Sequence, residues 1–117
     1  MVAKLKVDYD SENDILWLYS GNKADDSLEL DNFVIDFSKS SVVGLEINKA
    51  SEVLSRLTAK EITKEIVANV KEAILKTHVE KNLLFIVALI KIPGIKGLDV
   101  IPVQINAPRQ VMVAIAH

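Results

Sequence analysis

The chain has 117 residues, half of them hydrophobic, and a formal net charge of −2 at pH 7. This hydrophobic content excludes a disordered chain, and the near-neutral charge without clustered Lys or Arg argues against a nucleic-acid-binding surface. The absence of cysteine excludes disulfides, zinc–thiolate sites and cysteine nucleophiles. Residues 1–6 lack the continuous apolar core of a signal peptide, and the apolar run at residues 83–92 is shorter than the roughly 20 residues of a membrane span. We therefore expect one cytoplasmic domain over residues 1–117 that binds neither nucleic acid nor membrane.

The first half of the chain shows the short alternating runs that are typical of paired β-strands. Residues 5–9 and 15–19 flank a polar turn, which predicts a hairpin whose second strand lies inside the sheet. Residues 28–30 predict a short edge strand, and residues 33–37 with 42–47 predict a second hairpin. The buried face of the second hairpin should contain Phe33, Ile35, Phe37, Val43, Leu45 and Ile47.

Two short helices are predicted in the middle of the chain. The first covers residues 50–57, with Ser51 as its N-cap. The second begins at Thr63, although the segment Thr58-Ala59-Lys60-Glu61 resembles a capping box and offers an alternative start. Residues 73–79 fit either the end of this helix or a strand, and their alternation of apolar and polar side chains favours the strand.

The most informative segment is Leu-Leu-Phe-Ile-Val-Ala-Leu-Ile-Lys-Ile at residues 83–92. It is short, carries β-branched side chains and ends at Pro93-Gly94, which predicts a central strand rather than a helix. Because both faces of this strand are apolar, we expect both to be covered, in part by a neighbouring molecule.

The end of the chain continues this apolar character. Residues 98–105 should return as a strand, at an edge of the sheet or with a bulge, because Pro102 lacks a donor for the strand ladder. The following tail is apolar on both faces, and Val111, Val113 and Ile115 are candidates for an interface between two copies. Strands, two short helices and again strands predict an α+β fold made mostly of antiparallel hairpins.

Several segments of the first half carry a family resemblance. Tyr9-Asp10-x-x-x-Asp14-Ile15-Leu16-Trp17-Leu18 is followed by Phe33-Val34-Ile35-Asp36-Phe37, by Val43-Gly44-Leu45-Glu46-Ile47 and by Ala50-Ser51. In this order and spacing, they resemble the small prokaryotic family called domain of unknown function 2283, over residues 4–57. Residues 58–117 look like an extension similar to that of some archaeal members. The turn at residues 38–41 departs from the family, which typically has acidic residues and Gly there.

The resemblance implies a compact, β-rich cytoplasmic protein and supplies no reaction. Some members of this family are similar to antitoxins that are encoded beside a small toxin. An antitoxin-like role is therefore what the resemblance adds to the interpretation of the residues.

The candidate chemistry of the chain is confined to carboxylates. The predicted register of the second hairpin places Asp36 and Glu46 on one face, where paired carboxylates could act as general acid and base. Acids on such a face are also common where a sheet meets solvent. Asp10 and Asp14 could add metal ligands to this pair.

Two functions follow from these observations. The first is a non-catalytic protein-interaction module, working as a homodimer with a further protein partner, and antitoxin-like in its sharpest form. The alternative is a hydrolase that uses Asp36 and Glu46 as an acid pair or with a metal ion. We assign no catalytic or metal-binding residue from the sequence and expect no cofactor.

Overall fold

The computed structural model describes residues 2–39, 41–95 and 97–108. Within them, an antiparallel sheet has the strand order β3-β4-β5-β2-β1-β6-β7-β8. The strands are β1 (Val2–Asp10), β2 (Ile15–Tyr19), β3 (Asp26–Leu30), β4 (Phe33–Ser38), β5 (Ser41–Asn48), β6 (Glu72–Glu80), β7 (Leu83–Lys91) and β8 (Val100–Pro108). The helices α1 (Ala50–Thr58) and α2 (Lys64–Ala68) lie between β5 and β6 in the chain.

The predicted α+β class is wrong, because the fold is essentially all-β with two minor helices. Strands account for 57% of the described residues and helices for 13%. The second helix has only five residues, since the chain enters β6 at Glu72. Both helices occupy one connection between strands and form no layer of their own. Neither is long and apolar enough to cross a membrane.

The first strand connects the two halves of the sheet. Residues 6–10 of β1 pair with β2, whereas residues 2–5 pair with β6. The sheet curls, and buried side chains from β2, β4 and β5 share one hydrophobic cluster with those of β6, β7 and β8. At the junction, Leu5 is buried in this cluster. The two halves thus bury their inward faces against a common core.

The predicted central strand is confirmed, but only one of its faces is fully covered. β7 lies between β6 and β8. Its inward side chains are buried, and they are Leu84, Ile86, Ala88 and Ile90. Its outward side chains Phe85, Val87 and Leu89 are half-buried, and Leu83 is 43% exposed. Within the described residues, the outward side of β7 is only partly covered, and its predicted cover by a neighbouring molecule stays a prediction.

The second hairpin follows the predicted register except at its turn. Phe33 lies opposite Ile47 and Ile35 lies opposite Leu45, as expected. The register then shifts by one residue, so that Phe37 lies opposite Val42 instead of Val43. This bulge lets the adjacent residues Val42 and Val43 both be buried, which strict alternation would forbid.

The last described strand lies at the edge of the sheet, as Pro102 predicts, and begins at Val100 rather than at residue 98. The N–H of Ile92 donates to the carbonyl of Asp99 at 3.0 Å, just before β8. Because bonded and non-bonded pairs alternate along an antiparallel ladder, Ile101 bonds to β7 and Pro102 turns its nitrogen away from it. Pro102 therefore removes no bond to β7, and the pairing runs without a bulge. The tail with Val111, Val113 and Ile115 lies outside the described residues.

Substitutions at two neighbouring residues of β7 should have different effects on stability, because the two side chains lie on opposite faces of the strand. We expect Ile86→Ala to lower the free energy of unfolding by about 3 kcal/mol, because it opens a cavity in the core. We expect Val87→Ala to cost less than about 1 kcal/mol, because its side chain is only half-buried. Urea unfolding measures both values, and equal losses would contradict the one-sided burial described above.

Candidate functional site

Asp14 is the acid at which the first hairpin meets α1. It lies in the turn between β1 and β2 with φ 55° and is only 9% exposed. Its carboxylate accepts hydrogen bonds from the hydroxyl of Tyr9 at 2.6 Å and from that of Ser51 at 2.6 Å. The N–H of Ser51 donates to the same carboxylate, at 3.1 and 3.2 Å from its two oxygens. The N–H of Ala50 donates to the main-chain carbonyl of Asp14 at 2.9 Å.

The predicted N-cap of α1 is wrong. Ser51 lies within the first turn of the helix and donates to Asp14, whereas a capping side chain accepts. The N-cap position belongs to Lys49, whose φ is 52° and whose side chain makes no capping bond. Asp14 supplies the acceptor from 37 residues earlier in the chain, and its negative charge suits the N-terminal end of a helix. By contrast, α2 begins one residue after the predicted start at Thr63, and Thr63 caps it by accepting from the N–H of Ile66 at 3.3 Å.

The electrostatics of this cluster keep Asp14 ionised and Tyr9 neutral. Burial alone would raise the pKa of Asp14, but the hydrogen bonds from Ser51 and Tyr9, helped by the charge of Lys64, lower it on balance. Burial, together with the hydrogen bond to Asp14, raises the pKa of Tyr9. A hydroxyl that stays protonated and a carboxylate that stays charged make a strong hydrogen bond. The cluster is a structural joint between hairpin and helix.

Asp10 holds the same hairpin turn from its other end. One carboxylate oxygen accepts from the N–H groups of Glu12 and Asn13, at 3.0 and 3.1 Å. The other oxygen accepts from the side-chain amide of Asn13 at 2.7 Å. The hydrogen bonds from Asn13 also lower the pKa of Asp10. The carboxylates of Asp10 and Asp14 are therefore engaged in local structure rather than directed toward other acids.

Asp36 and Glu46 lie on the outward face of the other half of the sheet. Asp36 is opposite Gly44, and Glu46 is opposite Val34, so the two acids are diagonal neighbours. A Cβ atom at Gly44 would come within 3.2 Å of a carboxylate oxygen of Asp36 and of the carbonyl of Leu18. Partial burial raises the pKa of Asp36. The predicted shared face is observed, but Asp10 and Asp14 do not join it, and the described residues hold no cluster of three metal-binding side chains.

A row of apolar side chains lies on the outward side of the half-sheet formed by β6, β7 and β8. We name it the outward apolar face, and it consists of Ile74 of β6 and Leu83, Phe85, Val87 and Leu89 of β7. The ring of His78 stacks on Phe85 with centroids 6.2 Å apart, and His78 also contacts Glu80 at 3.5 Å. Lys91 and Glu72 form an ion pair of 3.0 Å at the other end of the strand pair. An apolar row with polar ends is typical of a contact surface.

The sequence gives direct signals for some of these features and none for others. The contact between Asp14 and Ser51 was missed, although both residues belong to the segments that carry the family resemblance. The outward apolar face follows from the apolar run at residues 83–92, whose two faces were visible in the sequence.

The substitution Asp14→Asn should destabilise the protein mainly at neutral pH. We expect a loss of about 2 kcal/mol in the free energy of unfolding, because a buried, charge-assisted capping contact is weakened. The folded-state pKa of Asp14 lies below the ordinary 3.8, so its contribution is present above that value and is lost as the pH falls through the lowered one. The difference between wild type and variant should therefore shrink in acid.

Asp8→Asn is the matched control, because Asp8 is an exposed acid on β1 of the same hairpin. Urea unfolding of the three proteins across the acid range gives the comparison. If Asp14→Asn cost no more than Asp8→Asn at neutral pH, or if its cost did not decline in acid, the capping role would be refuted.

Comparisons with known proteins place these features in a family. The model of the family described as "Protein of unknown function (DUF2283)" matches residues 6–51. These residues contain β2 to β5 and the joint of Tyr9, Asp14 and Ser51. No solved structure matches the chain.

A full-length relative extends the likeness beyond this region. The uncharacterized protein MJ0789 of Methanocaldococcus jannaschii is 36% identical over 113 residues, which cover 84% of this chain and 90% of that protein. The likeness therefore reaches into the half-sheet of β6, β7 and β8. The chain belongs to the DUF2283 family of proteins of unknown function.

Proposed function

We propose that this protein is a non-catalytic module that works through protein contacts, and that it self-associates as a homodimer. The observation that carries the proposal is the outward apolar face. It lies mainly on the central strand β7, which is paired on both sides, and the described residues leave it partly in water. Apolar area removed from water contributes about 25 cal/mol per Å², so covering this face favours contact with a partner protein.

The surroundings of the outward apolar face also support a protein contact. Lys76, His78 and Glu80 of β6 are exposed along one side, and Gln104 and Asn106 of β8 are exposed along the other. Polar residues around an apolar centre are typical of protein interfaces. The polar residues on the β8 side are uncharged, which suits contact with another protein better than contact with a highly charged partner.

The acids of the chain give the hydrolase no comparable support. Asp10 and Asp14 are occupied by the turn and by α1, and Asp36 with Glu46 stands on an outward sheet face. The raised pKa of Asp36 follows from partial burial beside Gly44, which is a packing effect. We therefore propose no reaction.

An antitoxin-like role is the sharper form of the proposal. Its support is the family resemblance, since some members are similar to antitoxins encoded beside a small toxin. In this form, the outward apolar face is the surface that receives the partner protein. The self-association and the partner contact are separate parts of the proposal.

Light scattering coupled to size-exclusion chromatography tests the self-association. We expect a mass of twice the chain mass of 12.9 kDa, because the proposed homodimer contains two copies of the chain. The measurement should span a wide range of protein concentrations at moderate salt. A chain mass of 12.9 kDa at every concentration would contradict the proposal.

A further inference from the structure

We propose that two copies of this chain associate through β8, by antiparallel pairing of their edge strands about a two-fold axis at Ile105. The inference rests on the self-association proposed above and names the surface that produces it. The result would be one sheet that continues from the first copy into the second. The outward apolar faces of both copies would then lie side by side on the same side of that sheet, where they stay open to the partner protein of the proposed function.

The two edges of the sheet differ in a way that points to β8. Within the described residues, β3 and β8 are the terminal strands of the order. β3 has five residues, and Asp26 and Glu29 place charges on it. Short length, charge and proline are the ordinary means by which an edge strand avoids pairing with another chain, and β8 has only the last of these, at positions 102 and 108. β8 has nine residues, Val-Ile-Pro-Val-Gln-Ile-Asn-Ala-Pro, and none of them is charged. The sequence thus protects one edge and leaves the other without charge.

Few main-chain N–H groups of β8 face away from β7. Ile101 bonds to β7, and by alternation so do Val103 and Ile105. Gln104 and Asn106 therefore turn their N–H groups outward. The nitrogens of Pro102 and Pro108 also face away from β7, but proline has no N–H. Within the described residues, the free edge of β8 consequently offers the N–H of Val100 at its start and two further donors, Gln104 and Asn106, that are bracketed on both sides by a proline.

This edge is complementary to itself. When two β8 strands pair about Ile105, Gln104 lies opposite Asn106 of the second copy, and each such pair exchanges both of its N–H···O bonds. In the same register Pro102 lies opposite Pro108 of the second copy. Residues without a donor thus face each other, and the carbonyls of Gln104 and Asn106 keep their partners. A shift of the register would place a proline opposite one of these residues instead.

The prolines also explain why pairing would stop at a dimer. They prevent the bonded segment from extending along the strand, and the two-fold axis uses β8 of both copies. The charged strand β3 then forms both outer edges of the combined sheet. The side chains of Gln104 and Asn106 already form a hydrogen bond of 3.3 Å within one copy. Across the two-fold axis, the side-chain amides of Gln104 and Asn106 would face those of the second copy.

Replacement of one outward donor tests the inference in the full-length protein. Gln104→Pro removes an N–H that points away from β7, so it should leave the fold intact while it breaks the pairing in both halves of the symmetric interface. We expect the dissociation constant of the dimer to rise by about tenfold or more. The matched control is Gln104→Ala, which keeps the N–H and should stay dimeric. Light scattering gives the mass, and far-UV circular dichroism with thermal unfolding verifies the fold.

A second pair of variants, Asn106→Pro and Asn106→Ala, repeats the test at the other donor if Gln104→Pro fails to fold. Proline variants that dimerise as strongly as the alanine variants would overturn pairing through β8, while the self-association itself would stand. Phe85→Lys should remain dimeric, and a monomeric Phe85→Lys beside a dimeric Gln104→Pro would assign the interface to the outward apolar face. A wild-type monomer at all concentrations would overturn both the edge pairing and the proposed homodimer.

Discussion

In the part of the chain that the structure describes, the sheet fully buries one of its two faces, and the rest of the structure depends on that constraint. Because β1 is shared between the two halves, the inward side chains of both halves meet in one core. The helices fill a connection and leave the other side of β7 uncovered. The strand β7, which is apolar on both sides, therefore has one face buried in the core and one face partly exposed to water. Contact with a second molecule is the simplest way to cover the latter.

The residues that carry the family resemblance have a structural explanation. Tyr9 and Asp14 in the hairpin and Ser51 in the helix form a joint that fixes α1 against the sheet. Asp10 shapes the turn between β1 and β2, and Gly44 leaves room for the side chain of Asp36. The residues that carry the resemblance thus have structural roles in the first half of the chain. This agrees with a module whose activity, as we propose it, is contact with other proteins.

Much of the fold could be predicted from alternation alone. The strands, the central position of β7 and the edge position of β8 all follow from local patterns, because period-two burial and the missing donor of Pro102 act within a few residues. The fold class could not be predicted in this way. It depends on the helix content, and the helix content depends on where α2 ends. The cap of α1 was missed because Asp14 lies 37 residues from Ser51, and the bulge at Val43 because it depends on tertiary burial. For the same reason, local patterns predicted the candidate acids but not that Asp10 and Asp14 are already engaged.

The central claim is that the free edge of β8 is occupied by a second copy. Amide hydrogen exchange followed residue by residue tests it most directly, because it observes the N–H groups of Gln104 and Asn106 themselves. The account predicts slow exchange at both amides at high protein concentration and faster exchange on dilution, while Ile105 stays protected throughout. Fast exchange of Gln104 and Asn106 at every concentration, beside a protected Ile105, would contradict it.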